Sequence, residues 1–451
     1  MPPAHKPPPP WLFALTGMPY GVVGSFSGAV MPYLTRRGGI EVGDIGWYVT
    51  LLMLPPVLQF LYAPIVDFGP KRKHWLVLVS ALGAACLVAA CLMPLPEQTT
   101  AFLGCAFAAQ MISGLVGSCN GGLMATMVPD DQRGKAGAWY NVGNLCGGGL
   151  SAAIAVYLTG HGVDPLAIGL VLAAMMVVPS LAVLAVDEPI REAVGSLGAV
   201  LLRTLRDVGA VLFSRAGLTG ILLCLSPVGT AALANYFGAL AEDYVRPAIL
   251  DQTSGSGLQP FIDVFQVPVE KALVDLKASE LLAFTTGPLG QVLTAVGALI
   301  GGFLCDRTNR RAMYLLGGAL TAVCGIAMAL SPRSEMTFIW GSLTYALITG
   351  FCYSAFTATV LETIGNSGKA ASTQYSLFVA AGNAAIAYVG LADSRFYEKH
   401  GVEGVVGSDA SLNIAGVIVL GVVFWLLGSF GKSRHQPPAS PVPPPGVVSK
   451  D

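Results

Sequence analysis

Residues 98–129 read QTTAFLGCAFAAQMISGLVGSCNGGLMATMVP, a stretch without a single Asp, Glu, Lys or Arg. As a helix it would rise about 48 Å, more than the roughly 30 Å hydrocarbon core of a bilayer. A charge at mid-bilayer costs a few kcal/mol, so a spanning segment excludes charges unless function demands them. Eleven further charge-free runs flank this one: 7–35, 45–66, 75–96, 136–163, 165–186, 216–241, 281–305, 312–332, 336–361, 370–392 and 410–431. Every charged residue of the chain lies outside these runs. The pattern predicts an all-α membrane protein with twelve transmembrane helices.

Composition agrees, with 54% hydrophobic residues and only 11% charged, against about 25% charged in soluble domains. A net charge of −1 gives no argument for nucleic acid. The nine cysteines all fall within the charge-free runs and none has CxxC spacing, so packing thiols are expected rather than a metal or disulfide framework. No cofactor is implied. The segment MPPAHKPPPP lacks the layout of a signal peptide, so the first run reads as a retained helix.

With twelve crossings both termini share one side. Of the 25 Lys and Arg residues, 17 fall on that side, and the opposite 3–4 and 5–6 connections carry none. Basic loops accumulate in the cytoplasm, which puts both termini there; a bacterial inner (plasma) membrane is the expected setting. The chain divides into a tail (1–10), a six-helix bundle (11–186), a cytoplasmic linker (187–215), a second six-helix bundle (216–431) and a Pro-rich tail (432–451). The linker has an amphipathic pattern, with Leu201, Leu202, Leu205 and Val208 beside Arg203, Arg206 and Asp207. It suits a surface helix or a solvated one. The second bundle carries an enlarged outside loop, 242–280, turn-rich at first and then helical over VPVEKALVDLKASE, with Ser279 as an N-cap.

The two halves share a signature. YAPIVDFGPKRKHW (62–75) follows the second run and GGFLCDRTNRRAMY (301–314) the eighth. Each sets an acid at a helix end, then a basic turn, then a new helix, which points to internal duplication. Asp67, Lys71 and Arg72 in the first copy, and Asp306, Arg307, Arg310 and Arg311 in the second, resemble the loop motifs of the major facilitator superfamily of secondary transporters. The segment around Arg133 and Gly134 resembles its 4–5 loop. Leu54 through Asp67, with Gly17-Met18-Pro19-Tyr20-Gly21, is similar to the muropeptide permease and acetyl-CoA transporter group. The basic residue usual there is Gln59 in this chain. The resemblance implies two pseudo-symmetric bundles in the major facilitator fold, and a permease moving a small organic solute such as a muropeptide or sugar derivative. An acid at a helix end accepts hydrogen bonds from a neighbouring N-terminus or pairs with Arg, so these motifs read as gating groups, or as plain anchors for helix ends.

No run contains an Asp, Glu, Lys or Arg, so neutral polar groups are expected to line the cavity. The candidates are Tyr20 and Ser25, Gln110 and Asn120, Tyr140, Asn141 and Asn144, Asn235 and Tyr236, Tyr353, Gln374 and Asn383. Amides and phenols both donate and accept hydrogen bonds, though each equally serves as packing glue between helices. Asn141 and Asn144 share one helix face. Energy coupling is open between two schemes: a proton carried by an acid at a span end, with Glu362 preferred over Asp44, Glu242 and Asp393, or uncoupled flux. The expected partners are thus a solute, the lipid bilayer and, in the first scheme, protons, with the chain acting as a monomer. A membrane enzyme is disfavoured because His5, His74, His161, His400 and His435 are scattered. A sensor on a transporter fold is the alternative.

Overall fold

The computed structural model describes residues 7–40, 42–189, 215–255, 274, 277–278, 281, 285, 288–364 and 371–426. The linker over 190–214, Ser279 and most of its helix, and the tail 432–451 lie outside the described residues. What is described is helical throughout, apart from short connections.

The first charge-free run forms α1 (Leu12–Ser25), a π turn at Phe26–Val30, and α2 (Met31–Arg37). The second is split into α3 (Val42–Leu52) and α4 (Leu54–Tyr62) at the Pro55-Pro56 pair. Those prolines take the first turn of α4, where a missing N–H leaves no hydrogen bond unmade. Next come α5 (Arg72–Leu92), α6 (Thr99–Met127), α7 (Arg133–Gly160) and α8 (Pro165–Ser180). Asp164 caps α8 by accepting from the Leu166 N–H at 3.1 Å.

The seventh run is not one helix. It breaks after α9 (Arg215–Cys224), turns through 225–231, makes a 3-10 segment at Ala232–Tyr236, and resumes as α10 (Phe237–Gly255). The beginning of the expected turn-rich loop is therefore helical as far as Gly255, with Pro247 inside the helix. The remaining elements are α11 (Pro288–Arg307), α12 (Arg310–Leu330), α13 (Glu335–Ile364) and α14 (Ala371–Leu426). α14 folds back on itself at Gly401 (φ 61°, ψ −140°), a conformation that suits glycine, and its two limbs supply the last two crossings.

Among the described residues, nine helices are long and apolar enough to cross a membrane. α14 counts once there, and the runs broken into α1–α2 and α9–α10 are not counted. Two expectations need correction at α14. The connection 393–409 is helical on both sides of Gly401, and Asp393 and Asp409 are wholly buried on its limbs. Acids do therefore lie inside the bundle. Counting charge-free residues ended those spans too early.

The seam between the halves is made by α7 against α11, and by α4 and α6 against α14. One apolar core joins both halves, with Phe13, Val66, Leu76 and Leu123 packed alongside Cys305, Ala358, Leu361 and Phe378. It lies toward the end that carries Asp67, Arg133 and Asp306, here termed the basic end. Toward the far end each half keeps a core of its own. Val22, Phe26, Leu87 and Phe102 belong to one; Phe237, Tyr244, Phe338 and Val405 belong to the other.

Candidate functional site

Between the halves lies a chamber of about 330 Å³. The first half lines it with Tyr20 of α1, Gln59 of α4 and Tyr140, Asn141 and Asn144 of α7. The second half supplies Ser226, Gly229 and Thr230 from the broken helix, Tyr314 of α12, Tyr353 and Thr357 of α13, and Tyr375 and Asn383 of α14. None of these side chains is charged.

Asn141 and Asn144 both reach the chamber, as their spacing on one helix face requires. Asn141 donates to the Thr357 hydroxyl of the opposite half at 3.3 Å, and Asn383 donates to the Pro56 carbonyl at 3.4 Å. Gln59 gives its amide hydrogens to the Gly114 carbonyl at 2.8 Å and the Ser118 hydroxyl at 3.0 Å, with Ser376 at 3.3 Å. Its Oε1 and the Thr230 hydroxyl are buried with no hydrogen-bond partner among the described residues. A buried polar atom left so is costly by about 1–3 kcal/mol, and a hydroxylated solute in the chamber would relieve it.

The break at 225–231 frees backbone groups that tyrosines and an asparagine recover. Tyr314 donates to the Val228 carbonyl at 2.7 Å, Tyr388 donates to the Leu225 carbonyl at 2.7 Å, and Asn413 Oδ1 accepts from the Gly229 N–H at 2.8 Å. Irregular backbone at membrane depth is tolerated where protein or a cavity surrounds it; here both do.

Other candidates have different positions. Asn120 is fully buried away from the chamber, donating to the Thr16 and Val116 carbonyls at 2.9 and 3.0 Å while accepting from the Thr16 hydroxyl. Gln110 accepts from Ser27, and Ser25 bonds Ser151. Tyr236 donates to the Gly390 carbonyl at 2.6 Å. Gln374 is buried beside Tyr375 and does not line the chamber. The side chain of Asn235 lies outside the described residues. Sequence reasoning passed over Gln59, Thr230, Tyr314, Thr357 and Tyr375. Only Gln59 carried a signal, as an amide amid the apolar residues of its span.

At the basic end the motif residues converge. Asp306, at the close of α11, accepts from the Gly134 and Lys135 N–H groups at 2.8 and 2.9 Å. A carboxylate thus caps the first turn of α7 across the seam, where the helix dipole favours negative charge. Arg310, fully buried, pairs with Asp130 at 3.0 Å, Glu362 at 3.7 Å and Asp306 at 3.8 Å, and donates to the Asp130 carbonyl. Arg311 pairs with Glu362 at 3.7 Å. Arg133 donates to the Ala125 carbonyl at 2.9 Å and, across the halves, to that of Leu361 at 3.4 Å. Glu362 therefore belongs to this network and is not among the chamber's lining residues.

In the first copy of the motif Asp67 pairs with Arg72 at 2.7 Å, both side chains being nearly inaccessible. Lys71 is the residue just before α5. Arg307 lies over the Phe303 ring, 3.7 Å from its centre.

The sequence profile of the Major Facilitator Superfamily matches residues 13–390. No curated protein sequence matches the chain. Among solved structures it is similar to the human organic anion transporter TETRAN, with TM-score 0.64 and 15% identity over 91% of this chain and 98% of that one. It is also similar to the E. coli fucose:proton symporter FucP, with TM-score 0.64 and 12% identity over 91% and 97% of the two chains. The proton:xylose symporter XylE gives TM-score 0.62 and 12% identity over 92% and 94%. At these identities the likeness is one of fold.

Proposed function

Because the chain belongs to the major facilitator superfamily, we propose that it is a secondary transporter that binds a small, polar, hydroxyl-rich solute between its halves and moves it by alternating access. The observation that carries this reading is the chamber itself. Both halves contribute to it, the polar part of its lining is phenols, amides and hydroxyls, and two of its polar atoms lack partners among the described residues. Groups that both donate and accept suit hydroxyls and neutral amides. Without a charged lining residue, nothing in the chamber favours a strongly anionic solute.

Its volume of about 330 Å³ stands near the lower end of ligand pockets, which run from about 300 to 1,000 Å³. That favours a sugar or compact sugar derivative over an intact muropeptide. The apolar core and the ion pairs at the basic end support a state closed on that side. The excess of Lys and Arg there supports a cytoplasmic orientation of that end. Transport then requires the Asp306 and Arg310 contacts to break.

Purified protein in liposomes, offered labelled sugars, sugar derivatives, muropeptides, peptides and acyl-CoA compounds, tests the proposal. Saturable uptake of a neutral hydroxylated solute is expected. Binding without flux would make the chain a sensor, and formation of a product would make it an enzyme; either result overturns the reading.

A further inference from the structure

We propose that Asp393 and Asp409, buried on the two limbs of α14, form a proton-binding site. The assignment deepens the transporter reading, and rests on it only for the site's role in coupling.

The two acids lie equally far along the chain from Gly401, about 12 Å down each limb at 1.5 Å per residue. Both are 0% exposed. Among the described residues, neither oxygen of Asp393 has a hydrogen-bond partner, nor does Oδ1 of Asp409. The Ser408 hydroxyl, also buried and unpartnered, stands beside Asp393 without reaching hydrogen-bond geometry. Asp409 Oδ2 accepts from the Tyr345 hydroxyl at 3.3 Å and from Asn413 Nδ2 at 3.4 Å.

Among the described residues, the titratable groups that face the pair are Tyr345 and Cys352 of α13, Cys324 of α12, and Tyr236 of the 3-10 segment. All are neutral near pH 7 in their ordinary states, and no Lys, Arg or His is among them. An ionised carboxylate is buried only with a compensating partner, and two neighbouring carboxylates in an apolar site do not both ionise. Three carboxylate oxygens and the Ser408 hydroxyl therefore mark a buried place where positive charge is missing. A proton fits it. Bound to one carboxylate, it takes the pair from −2 to −1. Release, when the bundle opens and water reaches the pair, returns it to −2 and yields one proton.

The site also touches the chamber. Asn413, which donates to Asp409, accepts through its Oδ1 from the Gly229 N–H at 2.8 Å. Gly229 and Thr230 are chamber-lining residues of the broken helix. Loading and unloading the pair thus alters the grip on the segment against which solute would rest.

Infrared spectra of the full-length protein in lipid at neutral pH test this assignment. We expect a protonated-carboxyl band in the wild type that shifts in Asp393→Asn and in Asp409→Asn and is lost in the double variant. If those variants fail to insert, Ser408→Ala supplies the reading, since removing the neighbouring hydroxyl should shift the band without abolishing it. A wild type without the band, a band unchanged in both Asn variants, or one unmoved by Ser408→Ala would overturn the site. So would disappearance of the band when sodium replaces potassium, because a metal cation would then occupy it. None of these readings needs a transported solute. A failed uptake screen therefore removes the transport proposal and leaves this one standing, and the reverse also holds.

Discussion

Asn141 and Asn120 show how one residue type takes two roles within a single half. Asn141 lines the chamber and holds only a long bond to Thr357, whereas the Asn120 amide is fully occupied by Thr16 and Val116. Truncating each should separate the roles. Asn141→Ala is expected to raise the KM for solute uptake about tenfold, the effect of about 1.4 kcal/mol, with little change in thermal stability. Asn120→Ala deprives the buried Thr16 hydroxyl of its acceptor and should lower stability by about 1–3 kcal/mol, leaving KM unchanged. Uptake kinetics together with thermal unfolding of both variants check the contrast. The sequence placed these two asparagines in the same class because it shows that a residue is polar within a span, but not which neighbour meets it. Helical spacing rescued Asn141 and Asn144 as a pair. Tyr375 and Tyr314, which were not among the cavity candidates, also reach the chamber.

The elements were legible wherever a charge-free run coincided with a straight helix, as in α5, α6, α7 and α12. Legibility failed where helix and charge parted company. The limbs of α14 run on past Asp393 and up to Asp409, because helix propagation depends on backbone hydrogen bonds and not on charge, and a bundle interior shelters an acid that lipid would reject. The opposite error occurred at 216–241, which is free of charge yet broken. There Gly229 and Ala231 adopt left-handed conformations, with φ of 64° and 57°. These two positions predict opposite signs. Gly229→Ala adds strain of about 1–2 kcal/mol and sets a Cβ 2.8 Å from that of Cys352, so stability and uptake should both fall. Ala231→Gly relieves the same strain. It adds about 0.4–1 kcal/mol of entropy to the unfolded chain, so the net effect should be neutral to mildly stabilising. Thermal unfolding of the two variants in detergent decides, and equal losses from both would show that the break is not conformationally set.

At the scale of the whole molecule the structure is asymmetric from end to end: one shared core and an ion-pair network join the halves at the basic end, while separate cores hold them toward the far end. The duplicated acid-and-basic-turn signature announced that this end matters, but not that Asp306 reaches across the seam to α7 while Asp67 pairs with its own Arg72. Two copies similar in sequence stand in different surroundings once the halves are assembled. Asp306→Asn keeps the shape but loses the charge and sets an NH₂ against one of the two N–H groups. At about 1.5–3 kcal/mol for a hydrogen bond to a charged group, the closed arrangement should lose roughly tenfold or more in population, since each 1.4 kcal/mol is a factor of ten. Cys305, fully buried in the shared core beside Asp306, reports that change directly. In protein retaining Cys305 as its sole cysteine, Asp306→Asn should speed its alkylation by a water-soluble maleimide about tenfold. Glu335→Gln serves as the control: it disrupts the more exposed Lys277–Glu335 pair, at the start of α13 and away from the basic end, and should leave the rate unchanged. If Cys305 stays equally protected in both variants, the Asp306 contacts anchor helix ends and do not govern closure.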